Sequence, residues 1–263
     1  MKLLEEVGLQ AYVQLQGSSY TEYERGKFMR YKSFAGFNFY DEPSAGIFDF
    51  LRDEAAGFKK KFPEKKAFAN LFPSYANSAQ LGTDTFENYV KTYVNTVPCD
   101  ILSFDYYPMK GNSASSQIDS GWLSALEIMA NAAKDKKLEF WSFLQSMSYG
   151  SNMRAPKSKA DISLQAYVNM CFGVKGLQYF CYMSPDIGPE FTAADVAMID
   201  RNNNKTPIYD YVKQANEDIL SFDHVFLRYD WENVMAVYGS EETKQNSAFK
   251  SLKHAMAESD YFT

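Results

Sequence analysis

The sequence predicts an α/β fold with a parallel sheet, and three observations predict it. Six short apolar or aromatic runs alternate with helical stretches long enough to cross over between parallel neighbours. The runs are apolar on both alternating faces, as strands covered on both sides must be. Polar and turn residues gather after each run and not before it, where a barrel of this class carries its chemistry. The doubly wound alternative needs a Gly-rich phosphate loop after a strand, and neither GxGxxG nor GxxxxGK[ST] occurs. The prediction is therefore a (β/α) TIM-type barrel.

The elements follow in order. A helical stub at Lys2–Val7 leads into a strand at Leu9–Leu15, and Tyr20–Tyr31 reads as helix. Ala35–Tyr40 is a strand that ends in Asp41-Glu42-Pro43-Ser44. Ser44 suits the N-cap of a helix at Ala45–Phe62, whose last turn holds Lys59-Lys60-Lys61 where the dipole is negative. Strand Ala67–Phe72, loop Pro73–Leu81 and helix Thr85–Thr96 follow. Strand Ile101–Tyr106 runs into a Gly-, Ser- and Asn-rich loop at Met109–Ile118, then helix Gly121–Asp135. Strand Glu139–Leu144, helix Ala160–Phe172, strand Leu177–Tyr182 and helix Thr206–Phe222 complete the pattern. Residues 1–224 are thus one barrel-type domain and 225–263 an extension, with a strand expected near Asn233–Val237 and a helix near Gln245–Glu258.

Composition narrows the function. The 263 residues carry a formal charge of −6, with 46% apolar and 23% charged residues, which excludes disorder as a whole-chain reading. An acidic chain has no general attraction to phosphate backbones or anionic lipid, so no nucleic-acid partner is expected. No apolar run approaches the roughly 20 residues of a membrane span, so no membrane partner is expected either. MKLLEEVGLQ is acidic where a signal peptide needs an apolar core; the cytoplasm is the default location, and full-length relatives are expected to include secreted proteins. The aromatic share is 16%, from 21 Phe, 19 Tyr and 3 Trp. Most of these fill a core, and a tyrosine surplus also suits a sugar-binding cleft. Cys99, Cys171 and Cys181 are scattered and read as buried thiols. His224 and His254 lie in the C-terminal part, poorly placed for a Ser-His-Asp triad or a metal site. No metal or cofactor is expected.

Four strand ends combine aromatic and polar residues. Tyr40-Asp41-Glu42-Pro43 puts a carboxylate at the end of a buried strand, where aromatic neighbours would raise its pKa toward the working pH of a proton donor. The same spacing suits a capping carboxylate at a strand-to-helix turn equally well. Asp105-Tyr106-Tyr107, Trp141 with Gln145, and Tyr179 to Tyr182 are the other three. Together they suggest one pocket lined for carbohydrate.

These residues carry a resemblance. GFNFYDEPS (Gly36–Ser44), NLFPSYA (Asn70–Ala76), DILSFDYYPM (Asp100–Met109), FWSFLQSMSYG (Phe140–Gly150) and LQAYVNMCFGVKGLQYFCYMSP (Leu164–Pro185) resemble the (β/α)8 glycoside hydrolases of the large retaining clan of β-galactosidases, cellulases and β-mannanases. The likeness is strongest to gut-bacterial, β-galactosidase-like hydrolases and runs from about Leu9 to Phe222. It implies a bacterial enzyme of polysaccharide degradation that hydrolyses a β-linked carbohydrate. Glu42 takes the acid/base place after strand four. Asp41 stands where the clan has an Asn that contacts the sugar 2-hydroxyl. Asn70, Tyr106, Tyr107, Trp141, Gln145 and Tyr182 are the implied substrate-binding residues.

The sequence departs from the clan in two ways. Gln145 stands at the nucleophile position at the end of strand seven, and an amide cannot form a glycosyl ester. Three readings follow: a hydrolase using another carboxylate, Asp105 first, with Asp186 and Glu190 behind it; a catalytically inactive, carbohydrate-binding barrel; or an enzyme whose substrate supplies the nucleophile. A non-sugar hydrolase is the weakest class, since GxSxG is absent. The second departure is length. Counting back from Glu42, strands three to eight are present and the first two βα units are missing, so the chain reads as a piece of a longer enzyme. An incomplete barrel leaves strand edges at Leu9–Leu15 and Leu177–Tyr182, and a homo-oligomer through those edges is expected, the competing reading being that Val225–Thr263 folds back and plugs the gap within one chain.

Overall fold

The computed structural model describes residues 1–14, 22–111, 116–150 and 152–234. They form two compact units, Met1–Phe104 with Asp135–Glu139, and Asp105–Lys134 with the chain from Phe140 onward. The first unit holds α1 (Lys2–Glu6), β1 (Ala11–Gln14), α2 (Glu22–Met29), β2 (Phe34–Asp41), a 3-10 turn (Ala45–Ile47), α3 (Phe48–Lys61), β3 (Lys66–Leu71), α4 (Ser78–Leu81), α5 (Phe86–Thr96) and most of β4 (Ile101–Asp105). The second holds β5 (Met109–Gly111), β6 (Ser116–Ile118), most of α6 (Trp122–Lys136) and of β7 (Glu139–Gln145), then α7 (Lys159–Cys171), β8 (Gly176–Phe180), α8 (Pro207–Leu220) and α9 (Asp223–Arg228). The six-stranded parallel sheet has the order β1-β2-β3-β4-β7-β8. Strands that succeed one another in sequence and in the sheet, joined by helices, are the topology of an incomplete TIM-type barrel.

In the first unit the strands read as the sequence demands. β4 is buried throughout and β3 is buried from Ala67 on, because both faces are covered. On β2, Phe37 and Phe39 turn to α3 and meet Phe58 at 5.2 and 5.7 Å between ring centres. The opposite face of the sheet carries Tyr12 edge-on to Phe68 at 5.7 Å. Gly36 lies between those strands, and a β-carbon there would sit 2.0 Å from the Lys66 carbonyl oxygen. The basic last turn of α3 has a definite use. The Lys59 ammonium binds Asp100 at 2.9 Å and the carbonyls of Pro63 and Lys65 at 2.9 and 3.0 Å. Asp100 in turn accepts from the Ala67 N–H at 2.9 Å, tying the helix end to the start of β3.

In the second unit, α7 and α8 enclose a core of Ile162, Met198, Ile208, Val212 and Ala215, with Tyr179 of β8 packed against it. Trp141 of β7 lies against Gly176 of β8, so close that a β-carbon at Gly176 would meet its ring at 2.5 Å.

Several local expectations give way. The loop Met109–Ile118 contains a short hairpin, β5 paired with β6, which the Gly- and Ser-rich composition conceals. The loop Pro73–Leu81 ends in α4, held by a reciprocal Asn77–Gln80 capping box. Ser44 precedes a 3-10 turn rather than α3 and makes no side-chain capping bond, while its Oγ packs beside the left-handed Gly82. Cys171 is exposed, because it closes α7, whereas Cys99 and Cys181 are partly buried. Of the strand expected near Asn233–Val237, Asn233 and Val234 are irregular. The rest of that strand, the helix near Gln245–Glu258 and His254 lie outside the described residues.

Candidate active site

Glu42 follows the last residue of β2 and is half-buried. Its backbone is left-handed, with φ at 52°. A non-glycine residue there is uncommon and costs about 1–3 kcal/mol, so the surroundings must hold it. They do so on both sides. Its N–H donates to the Asn70 carbonyl oxygen at 2.8 Å. The carbonyl of the next residue, Pro43, accepts from the buried Tyr89 hydroxyl at 2.6 Å.

Asn70 is the hub of a polar row at the ends of β2, β3 and β4. Its side-chain amide donates to Asp41 Oδ1 at 3.1 Å and accepts from Ser103 Oγ at 2.9 Å. Asn70 and Ser103 are buried and adjacent in register, and Asp41 is exposed at the rim. Lower on β2 sits Asn38, buried, whose Oδ1 has no hydrogen-bond partner among the described residues. Sequence reasoning named Asp41, Glu42 and Asn70 but missed Ser103, Asn38 and Tyr89. The signal for Tyr89 was its i,i+4 pairing with Tyr93 on the apolar face of α5, because buried hydroxyls must find partners.

The remaining candidates lie in the second unit. Asp105, the last residue of β4, is buried. Tyr106 is buried and gives its hydroxyl to Asp119 at 2.7 Å. Tyr107 is buried against Phe180, ring centres 5.5 Å apart. Trp141 is the third residue of β7, with its ring over Gly176, whereas Tyr182 lies beyond β8 and is exposed. Glu190 accepts from the Tyr149 hydroxyl at 2.8 Å. Glu139, at the start of β7, belongs instead to the first unit, where it is ion-paired with Lys66 at 2.5 Å.

Gln145 is fully engaged by the chain itself. Its Oε1 accepts from the Met109 N–H at 2.9 Å, and its Nε2 donates to the carbonyls of Met109 and Arg154 at 3.2 and 2.8 Å. Gln165 repeats the motif one layer out, bonding the Gln145 N–H and C=O at 2.8 and 3.1 Å. Arg154 forks onto Asp161 at 2.8 and 2.9 Å. Burial works against the Asp161 carboxylate, but the Arg154 bonds and the Lys157 N–H outweigh it and hold its pKa below the usual value. The side chain at the expected nucleophile position therefore anchors the β5 hairpin and the loop through Arg154.

Other chemistries find little support. Burial pushes the Cys99 and Cys181 thiols up to about 12 and about 11, so both stay protonated at neutral pH and are poor nucleophiles. Among the described residues no group of His, Cys, Asp or Glu could hold a metal ion, and no helix is long and apolar enough to cross a membrane.

No family model and no curated protein matches the sequence. Solved structures do resemble it. One is a protein provisionally assigned as an alpha-L-fucosidase from Bacteroides thetaiotaomicron, with TM-score 0.54 and 14% identity, over 82% of this chain and 69% of that one. A beta-galactosidase from the psychrophilic Marinomonas ef1 gives 0.49 and 11%, over 72% of this chain and 30% of that one. An endo-beta-1,4-mannanase from Thermotoga petrophila gives 0.44 and 10%, over 70% and 44%. At these identities the likeness speaks for the fold, and the first match places the chain among proteins with the (β/α) barrel architecture.

Proposed function

We propose that the chain is a glycoside hydrolase acting on a β-linked carbohydrate, with Glu42 as general acid/base. The observation that carries this reading is the pose of Glu42: a half-buried carboxyl in a left-handed conformation at the C-terminal end of a parallel strand, fixed on both sides by buried hydrogen bonds. Strain held at one carboxylate is characteristic of functional sites. In the reaction a protonated Glu42 gives its proton to the glycosidic oxygen and recovers one from the attacking water. Asp41 and Asn70, already hydrogen-bonded to each other, supply acceptors and a donor for sugar hydroxyls. Asp105 is the proposed second carboxylate. Turnover of nitrophenyl β-glycosides tests the reading. Glu42→Gln keeps the shape and removes the proton, and a loss of about 10²–10⁴-fold is expected. Wild-type turnover in that variant would defeat it.

A second reading, a carbohydrate-binding barrel without turnover, is favoured by one observation. The amide of Gln145 is bonded to Met109 and Arg154 and has no role left for a reacting sugar. Binding of β-linked oligosaccharides by calorimetry, with no hydrolysis across the glycoside panel, would select it. We propose in addition that copies of the chain associate through β1 and β8, the end strands of the sheet.

A further inference from the structure

We infer that Tyr89 is the positioning residue of this site, a latch that holds the Glu42–Pro43 turn from below. The inference rests on the functional reading of Glu42 but is measured on the turn itself. Tyr89 is fully buried on α5, packed on Phe48 at 5.4 Å between ring centres. Its ring is therefore fixed, and so is its hydroxyl. That hydroxyl faces two strand ends at once. It donates to the Pro43 carbonyl at 2.6 Å, and the Phe72 N–H approaches it at 3.4 Å. The loops that leave β2 and β3 are thereby joined through one oxygen.

The consequence for Glu42 is geometric. Its own N–H is held by the Asn70 carbonyl, so the peptide before it is fixed to β3. The Pro43–Ser44 peptide, which carries the Pro43 carbonyl, is fixed by Tyr89, and the proline ring, which locks φ of Pro43, passes that restraint back toward Glu42. One side of the following turn is closed by Gly82, where a β-carbon would come within 2.5 Å of Ser44 Oγ. A left-handed glutamate tends to relax toward the ordinary regions unless the backbone before and after it is held. Removing the Tyr89 hydroxyl takes away the restraint on the Pro43 side of a residue that prefers to leave its conformation.

Tyr93 provides the control. It lies one turn further along α5, is equally buried, and its hydroxyl also serves the backbone, accepting from the Ala69 N–H at 3.0 Å. It touches the middle of β3 and not the turn. Tyr89→Phe and Tyr93→Phe therefore delete matched buried hydroxyls with different addresses.

The experiment is amide hydrogen exchange and the φ-dependent HN–Hα coupling of Glu42, read by NMR on labelled full-length protein. Tyr89→Phe is expected to speed exchange at Glu42 at least about tenfold and to shift the coupling away from its left-handed value. Tyr93→Phe is expected to leave both within about twofold of wild type. Where hydrolysis is measurable, Tyr89→Phe is expected to lower kcat with little change in KM, and Tyr93→Phe to leave both alone. If Tyr89→Phe proves too unstable, the comparison is made in a Gly57→Ala background, which strengthens α3. Unchanged exchange and coupling at Glu42 in Tyr89→Phe, or equal changes in both variants, would overturn the latch. Glu42→Gln with full turnover would instead remove the acid/base role and leave the latch measurement standing.

Discussion

Replacing Gln145 by Glu keeps the side chain's size and reverses its hydrogen-bonding sense at one atom. Nε2 now donates to the Met109 and Arg154 carbonyls, and a carboxylate oxygen there would face both as an acceptor in a buried site. The substitution that would restore a nucleophile to this strand end therefore breaks an anchor. We expect Gln145→Glu to lose about 2–4 kcal/mol of stability at pH 7, since two buried acceptors lose their donor and a charge is buried. Burial raises the new carboxyl's folded pKa above the unfolded value near 4.3. The charge penalty should accordingly be absent below about 4.3 and grow as pH rises from there through the folded value. Urea unfolding at pH 4 and pH 7 measures this. Asp161 gives the opposite sign. Its folded pKa is depressed, chiefly through Arg154 acting against burial, so its stabilising share is present above the unfolded value and is lost as pH falls through the folded one. Asp161→Asn should flatten the acid side of a stability-versus-pH curve.

At the scale of elements, two glycines that look alike in sequence have opposite roles. Gly36 sits where β2 approaches β3, and an added methyl would meet the Lys66 carbonyl at 2.0 Å. Backbone cannot yield as a side chain can, and Gly36→Ala is expected to cost about 3 kcal/mol or more, read as a fall in the urea midpoint. Gly57 lies inside α3 with nothing within 4 Å of an added methyl. There alanine removes backbone freedom from the unfolded chain and favours the helix, and Gly57→Ala should gain about 0.5–1 kcal/mol. Helix α5, which carries both buried tyrosines, is capped by Thr85, whose Oγ1 accepts from the Asn88 N–H at 3.2 Å. Thr85→Ala should cost about 1 kcal/mol by the same measurement.

For the whole molecule the open question is what happens at the ends of the sheet. β8 is only half-buried along its whole length, and β1 is half-buried up to the exposed Gln14. Exposed Leu3, Val7 and Leu9 lie near β1 in sequence, and exposed Leu220, Val225 and Leu227 follow β8 on α8 and α9. Strand ends flanked by exposed apolar groups favour pairing with another chain. Light scattering at micromolar concentration is expected to give a mass above the 30.0 kDa of one chain, rising with concentration. A concentration-independent 30.0 kDa species would count against association.

The sequence by itself determined the alternation of strand and helix, the parallel character of the sheet and the placing of Glu42, Asp105 and Gln145 at strand ends. Those follow from local physics. Runs such as ILSFD, apolar on both faces, are stable only when covered on both sides, and turn residues mark where such runs stop. Tertiary structure alone decided what the strand ends do. The left-handed Glu42 and the Pro43 beside it are held by Asn70 and Tyr89 through hydrogen bonds that span 28 and 46 residues, and no periodicity encodes a hydrogen bond of that reach. The engagement of Gln145 depends on a hairpin too short and too rich in small polar residues to be read as strands. Spacing fixes which side chains reach the end of a strand; which of them are left over for a ligand is fixed by what the folded chain has already bonded.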